Sequence, residues 1–235
     1  MKEKFVLLSY FIDEFTPVYG TIPLPEIHNY SSISSGDSSN SVIIKMHNHA
    51  GTHIDVPKHF IDGGKCLTDY RVEDFIYSSP AIINLTLGSG ELINKSHLEK
   101  YSKKLLEADI VLFVTGFGKF RGKDIYRTHN PGIDPDGIRY IRTKFKNIKA
   151  IGVDTISISS YLHRNEGRMA HKEAFIKDRK YGEPLLLIED LDLRCNLNNL
   201  DKILIFPLFI KGIDASPCTV LGRIRKGCGS AAEGR

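Results

Sequence analysis

Residues 46–60, MHNHAGTHIDVPKHF, crowd four of the chain's nine histidines, His47, His49, His53 and His59, into one stretch with the carboxylate Asp55. Neutral imidazole and carboxylate are the ligands that suit zinc, manganese or iron. His49, His53, Asp55 and His59 are separated by even offsets, so an extended backbone aims them all to one side. A helix would pair His49 with His53 at i, i+4, but Gly51 and the Pro57 ring oppose a regular helix through the whole segment. The pattern therefore predicts a strand over 41–46 that opens into a rigid loop carrying ligands. Such a loop needs a firm scaffold beneath it.

The rest of the chain is able to supply one. Its 235 residues suffice for a large domain with a well-buried core, and 41% apolar with 26% charged residues is the balance of a folded enzyme. No internal linker divides it, so a single domain is expected over 1–228, with GSAAEGR at 229–235 as a flexible tail. The formal charge of +4 is spread out, with no Lys/Arg tract to track a phosphate backbone, which argues against nucleic acid as a partner. There is no run of 18 apolar residues, and Asp13 and Glu14 interrupt the amino-terminal MKEKFVLLSYF, so neither a membrane span nor a signal sequence is read and a cytoplasmic location is expected. Cys66, Cys195, Cys218 and Cys228 lie far apart with no CxxC pair, which points away from a disulfide framework or a thiolate zinc site.

Apolar runs of strand length occur at 5–11, 81–87, 110–114, 150–153, 185–188, 203–209 and 219–224. Between them, Ser96 with Glu99 reads as a capping box, Asp134 with Pro135 starts a helix through about Lys146, and 168–176 reads as helical. Residues 16–25 are a Pro and Gly loop holding Tyr19, and the serine-rich 29–40 reads as a surface loop. Alternating strands and helices are the pattern of an α/β protein with some parallel pairing. Several strands end in polar residues, where open α/β sheets place ligands. The Gly-rich 116–122 lacks the arrangement that cradles phosphates.

A metal that activates water needs three protein ligands and an open position, and His49, His53 and Asp55 supply three. Such an ion lowers the pKa of coordinated water and polarises a carbonyl, which is the chemistry of amide and ester hydrolysis. His59, four residues past Asp55, is placed to move protons. His47 reads as a supporting residue. His28, His97 and His129 stand alone as ordinary histidines, and His163 has no assignment.

Residues 49–60, HAGTHIDVPKHF, match the HxGTHxDxPxHF signature of the metal-dependent cyclase family, which includes bacterial kynurenine formamidase and isatin hydrolase. The chain resembles that family over nearly its whole length: TPVYG at 16–20, TG at 115–116, NPGI at 130–133, GVDTIS at 152–157, AHKE at 170–173, IEDL at 188–191 and FPLFIKGIDASP at 206–217 follow in the family's order. The resemblance implies a central mixed, barrel-like β-sheet with peripheral helices, assembled as a homodimer or homotetramer. It implies one or two divalent ions, zinc or manganese, with His49, His53 and Asp55 on the first and Asp55 bridging to a second held by His171 and Glu189. His59 would be the proton donor and acceptor, and Tyr19 would contact substrate where the formamidase has a tryptophan; this chain has no Trp. The segment 177–183, KDRKYGE, makes the stretch between His171 and Glu189 longer than in the formamidase.

The implied activity is hydrolysis of a carbon–nitrogen bond in a small amide, either an N-formyl arylamine such as N-formylkynurenine, in tryptophan catabolism, or a cyclic amide. The alternatives are a hydrolase or cyclase acting on another carbonyl compound such as a lactone, and a metal- or ligand-binding protein without catalysis.

Overall fold

The computed structural model describes residues 3–225, so the expected tail at 229–235 and Cys228 lie outside the described residues. The strands, in chain order, are β1 Lys4–Leu7, β2 Glu26–Ser31, β3 Ser41–Lys45, β4 His53–Asp55, β5 Ile76–Tyr77, β6 Pro80–Asn84, β7 Leu92–Ile93, β8 Ile110–Val114, β9 Gly132–Ile133, β10 Ala150–Val153, β11 Leu186–Glu189, β12 Leu200–Pro207 and β13 Ala215–Ile224. The helices are α1 Lys95–Glu99, α2 Ser102–Leu105, α3 Asp124–Thr128, α4 Pro135–Lys144 and α5 Arg164–Phe175.

One mixed sheet runs in the order β5, β12, β13, β4, β11, β10, β8, β6, and β1 also pairs with β13. Its β6, β8, β10 and β11 are parallel neighbours, whereas β4, β13, β12, β1 and β5 join through antiparallel pairs. Because β12 also packs against β6, the sheet curls until it nearly closes. This is the barrel-like α/β architecture expected above.

The parallel strands are apolar at almost every position because both of their faces are covered. Val111 and Phe113 of β8, Ile151 and Val153 of β10 and Leu187 of β11 share one core with Ile138 and Ile141 of α4 and Ala170 and Ala174 of α5. The alternate residues, Ile110, Leu112, Ala150, Leu186 and Ile188, fill the inside of the curl with Ile54, Ile203, Ile205 and Val220. A period of two thus divides each strand between a helix-facing layer and a barrel-facing layer.

Several boundaries depart from the sequence pattern. Asn29, Tyr30 and Ser31 belong to β2, which pairs with β3 as a separate ribbon, rather than to a loop. The cap of α1 is Asn94, whose side chain accepts from the His97 amide; Ser96 lies within the helix. α5 starts at Arg164, a turn earlier than the apolar stripe alone indicates. β1 ends at Leu7; β12 begins earlier, at Leu200 opposite Ile224, but stops at Pro207; and β13 begins at Ala215 because its first residues pair with β4.

Candidate metal centre

Register builds the centre. β4 lies between β11 and β13 with His53 opposite Glu189 and Asp55 opposite Leu187, so His53, Asp55 and Glu189 share the helix-facing side while Ile54 and Ile188 point into the barrel. On that side α5 buries Gly167, Ala170, His171, Ala174 and Phe175, the i, i+3, i+4, i+7, i+8 stripe of an amphipathic helix. His171 occupies the middle of the stripe and is thereby aimed at the strand carboxylates. Gly167 permits the close approach, since a Cβ there would stand 2.3 Å from Ser159 Oγ. His49 arrives from the preceding turn, where Gly51 takes a φ of +69°, and His59 ends a single 3₁₀ turn that begins at Pro57.

The side chains converge closely. His49 Nδ1 is 3.0 Å from Asp55 Oδ1, and His53 Nε2 is 3.4 Å from both Asp55 Oδ1 and Glu189 Oε2. His171 Nε2 is 3.4 Å from Glu189 Oε1 and 3.8 Å from Asp55 Oδ2. These approaches do not align as hydrogen bonds: His53 Nε2 and both Asp55 carboxylate oxygens are buried without a partner. An unpartnered buried carboxylate is costly, and donor atoms aimed at shared space rather than at each other are what a divalent cation satisfies. The residues present therefore fit such an ion.

The imidazoles are oriented for this from behind. His53 Nδ1 donates to the Gly51 carbonyl at 2.8 Å and His171 Nδ1 to the Gly167 carbonyl at 2.9 Å, which leaves each Nε2 lone pair facing the carboxylates. Glu189 Oε1 accepts from Ser157 Oγ at 2.9 Å and from the Ile158 amide at 2.8 Å, which fixes its rotamer and leaves Oε2 towards His53.

The charges are mutually dependent. Burial disfavours the charged forms throughout, but the carboxylates outweigh it at the rings and raise His53 and His171, with His49 pushed up to about 10 between Asp55 and Asp214. Conversely the rings hold Asp55 below its usual range, and Glu189 well below it, against the same burial penalty. Protons or a cation must balance these carboxylates, and protonated rings cannot be ligands, so cation binding releases protons.

Two groups of ligand atoms lie within 4.8 Å of one another, His49 with Asp55 and His59, and His53 with Asp55 and Glu189. Asp55 is common to both. The individual distances also place His49 and His53 together at Asp55 Oδ1, and His171 beside both Glu189 and Asp55 Oδ2.

His59 differs from the buried rings. Its side chain is 27% exposed, against 9% for His49, 3% for His53 and 4% for His171. Its Nδ1 meets Asp214 Oδ2 at 2.8 Å, and it lines a cavity of about 570 Å³ together with Tyr19, His47, Arg164, Arg168 and Asp214. Asp214, just before β13, was not singled out by sequence reasoning. It also meets His49 Nε2 at 3.1 Å and accepts from Asn48 Nδ2 at 2.8 Å. The hydrogen bonds from His49 and His59 hold its carboxyl far below the usual range. No local pattern marks it, since its place beside His49 and His59 depends on β13 pairing with β4.

His47 supports the turn: its Nδ1 accepts from the His49 amide at 3.2 Å. Tyr19 forms part of the opposite wall, edge-on to Tyr161 at 5.8 Å, and burial raises its phenol. Thr115 and Asp154, the other polar residues at strand ends, bond to each other instead, with Asp154 also accepting from the Gly116 amide. No helix among the described residues is long and apolar enough to cross a membrane.

Known proteins are similar to the chain in sequence and in fold. The chain is similar to kynurenine formamidase of Bacillus thuringiensis, with 28% identity over 204 residues covering 84% of this chain and 86% of that protein. The fold is similar to that of isatin hydrolase A from Labrenzia aggregata, with a TM-score of 0.78 at 22% identity over 95% of this chain and 94% of that one. It is also similar to a potential metal-dependent hydrolase with cyclase activity, with a TM-score of 0.72 at 26% identity over 96% of this chain and all of that one. The family model described as putative cyclase matches residues 6–160, about two thirds of the sequence and all of the histidine-rich segment, so the chain belongs to the cyclase family.

Proposed function

We propose that the protein is a metal-dependent hydrolase that cleaves the carbon–nitrogen bond of a small amide, an N-formyl arylamine or a cyclic amide. The observation that carries this reading is the convergence of His49, His53, Asp55, His171 and Glu189 on unpartnered buried donor atoms beside a more exposed His59. The similarity to a kynurenine formamidase and to a potential metal-dependent hydrolase supports it at the level of reaction class.

Those five residues would hold the cation, zinc or manganese by the nature of the donors, with Asp55 positioned to be shared if two ions bind. When bound, a divalent ion supplies Lewis acidity, polarising a carbonyl oxygen and acidifying water. The remaining work belongs to side chains. Asp214 accepts from His59 Nδ1, which fixes the tautomer and leaves Nε2 as the basic nitrogen of the cavity. His59 takes a proton as water adds to the carbonyl carbon and returns it to the leaving nitrogen as the C–N bond breaks. Phe60 stacks on the His171 ring at 4.5 Å, so an apolar face shields that side of the centre from water. Tyr19 and Ile156 give the cavity an apolar wall suited to a flat ring.

The test is metal analysis of protein purified without chelator, followed by a panel of N-formyl, lactam and lactone substrates on the wild type and His59→Ala. The proposal expects bound zinc, manganese or iron, and turnover of an amide that falls at least a hundredfold in the variant. Absence of metal refutes the centre. Turnover confined to lactones reassigns the substrate class, and metal retained with no turnover by the wild type leaves a binding protein.

A further inference from the structure

We propose that the protein carries a second ligand site, away from the metal centre, for a flat aromatic ring bearing an anionic group. The site is a cavity of about 400 Å³ between α4, the loop 177–183 and the start of β11. None of its lining residues also lines the cavity beside the metal centre, so it is independent of the hydrolase reading. The anion preference starts from Arg142, which lies one turn past Ile138 on the buried side of α4 and is only 3% exposed. Its two Nη groups donate to the carbonyls of Glu173, Gly182 and Glu183, but its Nε is buried without a partner. Among the described residues no carboxylate lies within 4.0 Å of it, and burial pulls the guanidinium below its usual range. Neutral carbonyls occupy N–H groups without balancing the charge, and a buried charge without a counterion is costly. An anion in the adjoining cavity offsets that cost.

The rest of the lining agrees. Lys146 and Lys149 also line the cavity, and neither has a carboxylate within 4.0 Å among the described residues; Lys146 Nζ donates to the Lys180 carbonyl at 2.6 Å. The two acids of the lining are engaged: Glu183 pairs with Lys177 at 2.6 Å and Lys65 at 3.6 Å, and Asp74 accepts from the Arg71 amide at 2.9 Å. Tyr70, Phe145 and Tyr181 supply aromatic walls, and the Tyr70 hydroxyl is a second buried polar atom without a partner. Tyr181 is fixed in place, because Arg142 and Lys146 together hold the carbonyls of Lys180, Gly182 and Glu183, and the Arg142 guanidinium lies over its ring at 5.1 Å. Aromatic walls with a surplus of convergent cations are the lining that recognises a small aromatic anion.

The chain has no Trp, so Tyr181→Trp keeps an aromatic wall and places the sole indole at this cavity. The probes are 4-nitrobenzoate and 4-nitrobenzamide, whose nitroaromatic ring quenches indole emission on contact, titrated into the metal-loaded variant. Binding at the metal centre is then silent. Saturable quenching is expected, with the carboxylate binding at least about tenfold more tightly than the carboxamide, the scale of one charge-assisted hydrogen bond. Arg142→Met on that background should bring the ratio towards one. Because Arg142 is buried, the exposed pair Lys146→Gln with Lys149→Gln gives a second route that leaves the core untouched, and it should also lower the ratio. Calorimetry on the wild type should find a site of the same preference, which shows that the indole did not create it. No saturable quenching, equal affinities for acid and amide, a ratio that survives the lysine pair, or a wild type without the site would each overturn the proposal.

Discussion

Replacing Arg121 with Met should destabilise the protein by about 3 kcal/mol, and the loss should depend on pH in a defined direction. Asp190 follows Glu189 directly, has a φ of 54° that a non-glycine residue adopts only under constraint, and is buried. Arg121 holds it with Nε at 2.9 and 3.1 Å and Nη2 at 2.8 Å, and Tyr126 adds its hydroxyl at 2.6 Å. Removing one partner of a buried pair costs about 3–5 kcal/mol. The lower figure applies because Tyr126 remains and the carboxylate can protonate. For a chain of this length, about 3 kcal/mol corresponds to a fall in Tm of roughly 6–12 °C.

The sign with pH follows from the carboxyl itself. Burial already raises Asp190 above its usual range in spite of Arg121 and Tyr126, and loss of Arg121 raises it further. A carboxyl whose folded pKa lies above its unfolded value binds its proton more tightly when folded, so its ionised form opposes folding at neutral pH and ceases to as pH falls through that window. The stability difference between wild type and Arg121→Met should therefore be largest near pH 7 and shrink towards pH 4, and Asp190→Asn added to Arg121→Met should recover part of it. Urea unfolding at both pH values measures this. A difference below about 1 kcal/mol at neutral pH, or one that grows on acidification, refutes the buried-pair account.

Three further outcomes are expected. Asp214→Asn should lower kcat by about tenfold to a hundredfold with little change in KM, because the amide no longer fixes the His59 tautomer; steady-state kinetics alongside retained metal content checks this. Gly167→Ala should cost about 1–3 kcal/mol by driving a methyl into Ser159 and displacing α5, and should weaken metal retention because His171 moves with the helix; thermal melts and metal analysis report both. The β2–β3 ribbon leaves Val42, Ile43 and Ile44 at 50%, 53% and 56% exposure, and a two-stranded ribbon gains too little alone to be stable, so sedimentation should find a homo-oligomer that Ile44→Lys weakens; a monomeric wild type would refute this.

The parts of the fold that were legible in the sequence are those where burial on both sides made the signal independent of orientation. Ile110–Val114 and Ala150–Val153 are β8 and β10 to the residue, because a parallel strand covered on two faces is apolar throughout. The start of α4 is similarly plain, since Asp134 accepts from the Asp136 amide and Pro135 opens the helix, although it ends at Lys144 rather than about Lys146. Solvent-facing elements were obscure. Residues 29–31 look like loop because every position of the ribbon they join is at least partly exposed, so no alternation of polar and apolar side chains marks it.

The centre divides along a different line. Residues 49–59 announce themselves because several ligand types share one short segment, although only His53 and Asp55 lie on a strand, while His49 and His59 reach the same space from turns. His171, Glu189 and Asp214 are invisible to spacing, as each depends on a long-range register: Glu189 on its pairing opposite His53, His171 on the buried stripe of α5, and Asp214 on β13 lying beside β4. A signal was nonetheless present for two of them. A histidine inside an otherwise small and apolar helical stripe, and a glutamate closing a fully buried strand, are each costly to bury without a partner. Two such anomalies more than a hundred residues beyond a histidine-rich loop are most economically satisfied by one another and by that loop. The expense of burying them is a long-range constraint that local periodicity does not express, and both residues entered the sequence reading only through the family resemblance.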